Sequence, residues 1–437
     1  MTEPFAAGFV RAINANRTLK DELTAAVRRQ STPRRIAVTH LVNPRQAFFR
    51  WIHPEIQPSP ERAQVMLAGT GFHDLFGHLV SSEEFVEQFV EYEGIVGKID
   101  IYDDVPVELK TTSSMPDLPR PSYVDQLAMY CTMTGRSQGR LIIYRQTHFG
   151  GEPALRAFRA GFSDLPAIRA EMLRRRDLLR AALERRTAGE LPRCEWFGRH
   201  CDYEAFCGCD QAPAAGRVVP DGACILERDP ALETTLGAAL ASPVARPRGF
   251  RLNDLVFPRR SAFERQTPPE DEEAEPSLET RLRELERRAF RETLQDTVRY
   301  GIRGAYRTIP VTLRTLSDRV GLFQEMPTRL STTRLREMVD RRRLVTAFPW
   351  IFDRLAFECA LSDRAWGRVV LYYELLPDDK FMVYDVAFAD LSAIHAEAER
   401  RLALLETEAS PALLPPCPSW MARTCRYRDR CGCGDAA

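Results

Sequence analysis

Apolar and polar positions change period several times along this chain. From Gly94 to Thr112, GIVGKIDIYDDVPVELKTT alternates apolar and polar residues around Asp103–Asp104. That is the period of half-buried strands, so a β-hairpin is predicted there. SYVDQLAMYCTMTG, from Ser122, predicts a helix closed by Gly135. GRLIIYRQT, from Gly139, is a short apolar run and predicts a buried strand. Residues 61–92 and 164–187 predict helices, the second charged and amphipathic. The mixture predicts an α/β fold, a mixed central sheet flanked by helices.

The pattern is written twice. LVNPRQAFFR (Leu41–Arg50) returns as LVFPRRSAFE (Leu255–Glu264), and VPVELKTT (Val105–Thr112) as MPTRLSTT (Met326–Thr333). DQLAMYC (Asp125–Cys131) returns as DRLAFEC (Asp353–Cys359), and GRLIIYRQ (Gly139–Gln146) as GRVVLYYE (Gly367–Glu374). DLPAIRAE (Asp164–Glu171) returns as DLSAIHAE (Asp390–Glu397), each leading through a charged helix into a cysteine cluster. Matches that keep their order at offsets of 214 to 228 residues imply a tandem duplication. The predicted organisation is an N-terminal helical extension over 1–33, a first domain over 34–210, a linker over 211–245 rich in Ala, Pro and Gly, and a second domain over 246–437. RQTPPEDEEAEPS (Arg265–Ser277) reads as an exposed acidic loop.

At 437 residues two or three domains are expected. The formal net charge of +0 advertises no nucleic-acid partner. The basic residues are nearly all arginine, with lysine only at Lys20, Lys98, Lys110 and Lys380. No apolar run is long enough to span a bilayer, and the first residues lack a signal-peptide pattern, so a cytoplasmic protein with no membrane partner is expected. Eight of the eleven cysteines lie in the two clusters. In a reducing compartment such clusters bind metal more often than they form disulfides.

In the predicted hairpin, Glu108 and Lys110 share one strand face, and Asp100 can lie across from them. Two carboxylates and an ammonium at one point suit divalent-metal phosphodiester chemistry: the carboxylates hold Mg²⁺ or Mn²⁺, and the lysine neutralises developing charge. This D…ExK pattern resembles the PD-(D/E)xK nucleases, in particular their RecB-like branch. GTGFH (Gly69–His73), GKID (Gly97–Asp100) and QLAMY (Gln126–Tyr130) match that branch in its order. The resemblance implies a restriction-endonuclease-like fold in each half. It implies His73, Asp100 and Glu108 as metal ligands, with Lys110, Gln126 and Tyr130 around the scissile phosphate. Aligned by the repeat, Glu108 falls on Arg329, Lys110 on Ser331, Gln126 on Arg354, Tyr130 on Glu358, and Asp100 near Gly321. The second half is therefore expected to keep the fold without the active site, and its arginines could still hold phosphates.

The clusters read C-x6-C-x5-C-x-C (Cys194, Cys201, Cys207, Cys209) and C-x7-C-x5-C-x-C (Cys417, Cys425, Cys431, Cys433). Four thiolates suit either a zinc ion or an iron–sulfur cluster. The layout resembles the iron–sulfur members of the RecB-like nucleases, including the CRISPR-associated exonuclease type, so two [4Fe-4S] clusters are the preferred expectation and Zn²⁺ the alternative. In that group one cysteine ligand comes early, in a CPR stretch; here its place holds Asn43 and Phe257. Cys209 and Cys433 are expected to replace it, closing each cluster locally and removing the tie between the start and end of each domain. The function expected is a metal-dependent nuclease on single-stranded or end-bearing DNA, with an inert second domain, working in repair, recombination or CRISPR-type processing. A helicase or integration complex is a possible partner. The alternative is a non-catalytic DNA-binding or scaffolding protein, and an RNA-directed or triggered nuclease is a further rival. The Arg281–Arg307 segment could track a DNA backbone, though a solvated helical face is the plainer reading.

Overall fold

The structure is a computed structural model. It describes residues 5–29, 33–112, 114–145, 155–195, 201–241, 249–266, 278–297, 341–373, 380–418, 421, 425 and 427–433, and, between 298 and 340, the strands alone. The chain is a mixed α/β protein that forms two compact units. The first comprises Arg28–Pro243 with Glu275–Thr293, the second Met1–Val27 with Val244–Ala274 and Leu294–Ala437. No described helix is long and apolar enough to cross a membrane.

β1 (Val10–Ala15) belongs to the second unit. The first unit holds β2 (Ile36–Ala37), β3 (Val86–Tyr92), β4 (Ile95–Tyr102), β5 (Pro106–Thr112), β6 (Gln138–Arg145), β7 (Leu155–Phe162) and β8 (Cys224–Arg228). They form one seven-stranded sheet in the order β2-β4-β5-β6-β7-β8, with β3 beside β4. β4 and β5 make the expected hairpin, pairing Ile101 with Val107 and Tyr102 with Pro106. Every second residue of β4 is buried. β5 and β6 are parallel, so the chain must cross over between them. It does so through the helix Pro121–Thr134, which packs on both strands and ends at Gly135 in the left-handed conformation (φ 68°). The helix expected over 61–92 covers Pro60–Val80 only; Val86–Tyr92 is β3, which pairs antiparallel with β4 from Val86 opposite Ile101 to Tyr92 opposite Ile95.

In the second unit β9 (Arg303–Tyr306) pairs with β10 (Ile309–Thr312) as a small antiparallel sheet. Its other strands are β11 (Thr315–Leu316), β12 (Arg319–Met326), β13 (Trp366–Tyr373) and β14 (Phe381–Phe388), which with β1 form a five-stranded sheet in the order β1-β14-β13-β12-β11.

The repeat holds at the level of individual contacts. A Cβ on Gly139 would meet Leu127 Cδ1 at 2.8 Å and Cys131 Sγ at 2.9 Å; on Gly367 it would meet Leu355 Cδ1 at 2.7 Å and Cys359 Sγ at 2.8 Å. Each glycine lets a crossover helix lie close on its strand. Asp164 and Asp390 cap their helices by accepting from Ala167 and Ala393 N–H. Buried Arg175 pairs with Glu171 and donates to Leu41 O at 3.0 Å; buried Arg401 pairs with Glu397 and donates to Leu255 O at 2.8 Å.

Both flanking segments depart from expectation. Residues 1–33 are not a helical extension: β1 joins the second sheet antiparallel to β14, with Val10 opposite Phe388, and the helix Arg17–Arg28 follows. Residues 211–245 are not a mere linker: β8 lies antiparallel to β7, with Cys224 opposite Phe162, and the helix Pro230–Ala241 follows. The two segments are structural equivalents. Asp229 N–H donates to Ala157 O and its carboxylate caps Leu232 N–H; Asn16 N–H donates to Val383 O and its side chain caps Leu19 N–H. Asp125 accepts from Val218 and Val219 N–H, as Asp353 accepts from Ala6 N–H. Each core thus receives the same strand and helix on the same sheet edge, from the segment after it in the first unit and from the far N-terminal segment in the second.

The helix Leu278–Thr297 keeps the solvated face expected over Arg281–Arg307, with Glu284, Arg288 and Glu292 exposed, and adds a buried one. It buries Leu282, Leu285 and Ala289 in the first unit beside Phe72 and Phe76. Ala289 O stands 2.7 Å from where a Cβ on Gly71 would be, so Gly71 is the close-approach point on the Pro60–Val80 helix.

Candidate active site and cysteine lobes

The hairpin, the crossover helix and the Pro60–Val80 helix bring the predicted residues of the first half together. Asp100 on β4 accepts from Leu109 N–H at 2.8 Å, which ties it across the hairpin to the strand carrying Glu108 and Lys110. Its other oxygen faces His73 Nδ1 at 3.4 Å. Lys110 Nζ lies 2.6 Å from Glu108 Oε1 and donates to Gln126 Oε1 at 2.8 Å. Gln126 Nε2 donates to the Tyr130 hydroxyl at 3.4 Å, one helical turn on. Tyr123, on the same helix, sets its ring centroid 5.5 Å from Lys110 Nζ, within cation–π range.

Glu108 and Lys110 sit at alternate positions of β5, so both project toward the helix. Burial and the Asp100 charge push the Glu108 carboxyl up to about 7, although Lys110 pulls against them. Burial also works against ionised Asp100, but His73, Lys110 and the Leu109 N–H outweigh it and hold that carboxyl below its ordinary value. Burial disfavours charged Lys110, yet Glu108 and Asp100 raise it. The Tyr130 hydroxyl is raised by burial and by the nearby carboxylates. Two carboxylates of the same site are thereby pushed in opposite directions, a pattern typical of functional sites.

Glu108 Oε2 is buried without a hydrogen-bond partner among the described residues. A buried carboxylate oxygen in that condition calls for a cation or a proton, so the donor set suits a divalent ion. The arrangement differs from expectation in one respect. Among the described residues no three His, Cys, Asp or Glu side chains surround a cation-sized point. His73 pairs with Asp100 and Glu108 with Lys110, so the expected ligands satisfy one another in pairs.

In the second unit, Arg354 and Glu358 occupy the places of Gln126 and Tyr130 and form an ion pair at 3.1 Å, with Arg354 also donating to Asn253. Arg329 and Ser331 lie outside the described residues, and the strand register corrects the alignment that chose them. β12 is parallel to β13 as β5 is to β6. Two residues past the shared glycine, Leu141 faces Glu108 in the first unit, and Val369 faces Leu322 in the second. Leu322 and Gln324 therefore stand at the register of Glu108 and Lys110. Gly321 lies on this same strand rather than on the counterpart of β4. The physical reason is that a parallel strand takes its register from its neighbour, and the common letters of two short motifs do not constrain it.

Each cysteine quartet gathers locally, and all eight thiols are free of disulfides. Burial and the neighbouring Cys209 and Cys201 raise Cys194; burial and Cys209 likewise raise Cys207. Cys417 is pushed up to about 12 by burial and by Cys433, whose sulfur accepts from Cys417 N–H at 3.2 Å. Thiols that oppose one another's ionisation suit a thiophilic metal by type, although among the described residues no three of them surround a cation-sized point. The expected loss of the tie to the start of each domain is corrected. Asn43 Oδ1 accepts from Glu195 N–H, beside Cys194. Phe257 packs against the second quartet. Arg45 and Arg259 reach into the two lobes, and neither was singled out from the sequence, although NPR and FPR carry them in the repeated stretch.

Gly97 was also missed as a functional position. A Cβ there would lie 2.7 Å from Tyr130 Cε1 and 2.9 Å from Val90 Cγ2, so the bare backbone of β4 is what admits the tyrosine.

No protein-family model matches this chain, and no curated protein matches it. Among solved structures, the crystal structure of SSO0001 is similar over 44% of this chain and 96% of its own length, at 16% identity and a TM-score of 0.33. A likeness at that level carries no argument about function.

Proposed function

We propose that the first unit is a divalent-metal-dependent nuclease of the PD-(D/E)xK, RecB-like type, and that the second is a catalytically inert copy. The observation that carries the reading is the gathering of His73, Asp100, Glu108, Lys110, Gln126 and Tyr130 around a buried, unpartnered Glu108 Oε2. Asp100, Glu108 and His73 would hold Mg²⁺ or Mn²⁺, which when bound supplies Lewis acidity toward a phosphate and an activated water. Lys110 is the cation of the site. Gln126 and the Tyr123 ring fix its ammonium where it can offset charge developing on phosphate oxygens. Tyr130, hydrogen-bonded to Gln126, holds that amide in turn. In the second unit Leu322 and Gln324 replace the acid and the lysine by register, and an Arg354–Glu358 ion pair stands where the amide and phenol would be. Among the described residues of that unit the groups proposed for the reaction do not recur at these positions.

The substrate proposed is DNA, single-stranded or bearing a free end, cut exonucleolytically in repair, recombination or CRISPR-type processing. The two cysteine quartets are proposed to hold metal, as iron–sulfur clusters or as zinc. The decisive assay incubates end-labelled single-stranded DNA, duplex DNA with different ends, and RNA with the protein and Mn²⁺. Wild type should cleave DNA and Lys110→Ala should not, with the folded state retained. Equal inertness of both proteins on all substrates, or equal activity, would overturn the proposal.

A further inference from the structure

Arg45 and Arg259 sit at the same place in the two repeats, and each directs its guanidinium, buried at Arg45 and half-buried at Arg259, at the backbone of its own cysteine lobe. Arg45 Nε donates to Cys207 O at 2.7 Å. Its Nη1 donates to Ala188 O at 2.7 Å and to Leu191 O at 2.8 Å, and Nη2 to Gly208 O at 3.4 Å. Arg259 Nη1 donates to Cys431 O at 3.1 Å; its Nε and Nη2 reach Leu414 O at 2.9 and 2.6 Å, and Nη2 also reaches Ala412 O at 3.2 Å. Cys207 and Cys431 are the third cysteine of their quartets, so the same carbonyl is gripped in both copies.

Two features exceed what a structural tie requires. First, Arg45 is 7% exposed and bonded to carbonyls alone; among the described residues no carboxylate pairs with it. A buried cation is ordinarily paired with an anion. Neutral thiols leave this charge uncompensated, whereas four thiolates around a metal make an anion next to it. Second, the grip lands on the Cys207–Gly208–Cys209 turn, with Gly208 in the left-handed conformation (φ 58°) and Gly432 likewise between Cys431 and Cys433 (φ 59°). That turn carries the two cysteines closest in sequence, and the separation of their sulfurs depends on its shape.

We propose that Arg45 and Arg259 are positioning residues of the two metal lobes. Each fixes the Cys-Gly-Cys turn for metal binding, balances the negative charge of the thiolate–metal group, and provides the tie to the start of the domain that the Asn43 and Phe257 positions do not supply as ligands. The inference rests on the reading that the quartets hold metal. Lysine cannot replace the arginine, because only the planar fork reaches at once a carbonyl of the turn and carbonyls of the segment before the first cysteine.

The test uses the full-length chain as wild type, Arg45→Lys and Arg259→Lys. Metal content is measured by elemental analysis, and metal release to excess chelator is followed over time. Cysteine alkylation read by mass spectrometry then reports which quartet has opened. Loss of a residue that orients metal ligands typically costs about 10- to 100-fold in affinity. Arg45→Lys should accelerate release by that order from the Cys194–Cys209 quartet alone, and Arg259→Lys from the Cys417–Cys433 quartet alone. Release unchanged from wild type overturns the proposal, as does equal opening of both quartets in either variant, which would mark general unfolding. Wild-type protein without metal would instead refute the metal reading on which the inference stands.

Discussion

Replacing Gly97 with alanine should damage the candidate site from beneath. Gly97 lies inside β4 at an ordinary strand conformation, so alanine introduces no backbone strain; by limiting the unfolded chain it would stabilise by roughly 0.4–1 kcal/mol on its own. The new methyl carbon, however, would stand 2.7 Å from Tyr130 Cε1 and 2.9 Å from Val90 Cγ2. Ordinary contact begins near about 3.5 Å, so the ring or the strand must give by several tenths of an ångström. Tyr130 is 3% exposed and hydrogen-bonded to Gln126, so its ring has nowhere to swing. Overpacking of that kind costs roughly 1–3 kcal/mol, and the net expectation is a loss of about 1–2 kcal/mol. Denaturant melts of wild type, Gly97→Ala, Tyr130→Leu and the double variant form the assay. The alanine should be harmful beside tyrosine and less harmful beside leucine, where only the Val90 contact remains. If Gly97→Ala is harmless in the wild-type background, or leucine brings no relief, the contact does not matter as argued. In the nuclease assay Gly97→Ala should also lower cleavage, because moving Tyr130 loosens Gln126 and with it Lys110.

The pH dependence of the first unit carries a signature of Glu108. Its folded pKa is raised to about 7 by burial and Asp100, so the folded state binds the extra proton between the ordinary glutamate value and 7. Stability from this group is present at low pH and lost as pH rises through that window, by on the order of 1–3 kcal/mol. His40, lowered to about 4 by burial and then by Arg50, acts in the opposite sense below its ordinary value, which is why wild type must be compared with Glu108→Gln. The difference between their melting curves should shift in favour of the variant from pH 5 to pH 8; a flat difference would contradict the burial argument. Asn16→Ala removes a helix cap and the bond from Asn16 Nδ2 to Asp385, and should cost about 1 kcal/mol. Hydrogen exchange should then quicken in β14 and not in β7. Acceleration in β7 would mean that the N-terminal segment serves the other core.

The sequence by itself determined the repeated segments, the hairpin and the crossover helix, with Glu108 and Lys110 on one strand face. These are set by local period and by spacings of two and four, which place side chains on one strand or helix face whatever the rest of the chain does. Asp100, Glu108 and Lys110 needed only one hairpin, whereas His73, Gln126 and Tyr130 joined them through the family resemblance. The tertiary structure alone decided three things. It fixed the register of β12 through its parallel neighbour β13, moving the counterparts of Glu108 and Lys110 to Leu322 and Gln324. It gave the strand and helix at Val10–Arg28 to the sheet of the second core, a pairing of residues more than 350 positions apart that no local pattern encodes. And it turned Arg45 and Arg259 from two arginines among many into the cations that grip the cysteine lobes. A guanidinium acquires that role from the carbonyls that converge on it, and only the folded backbone brings those together.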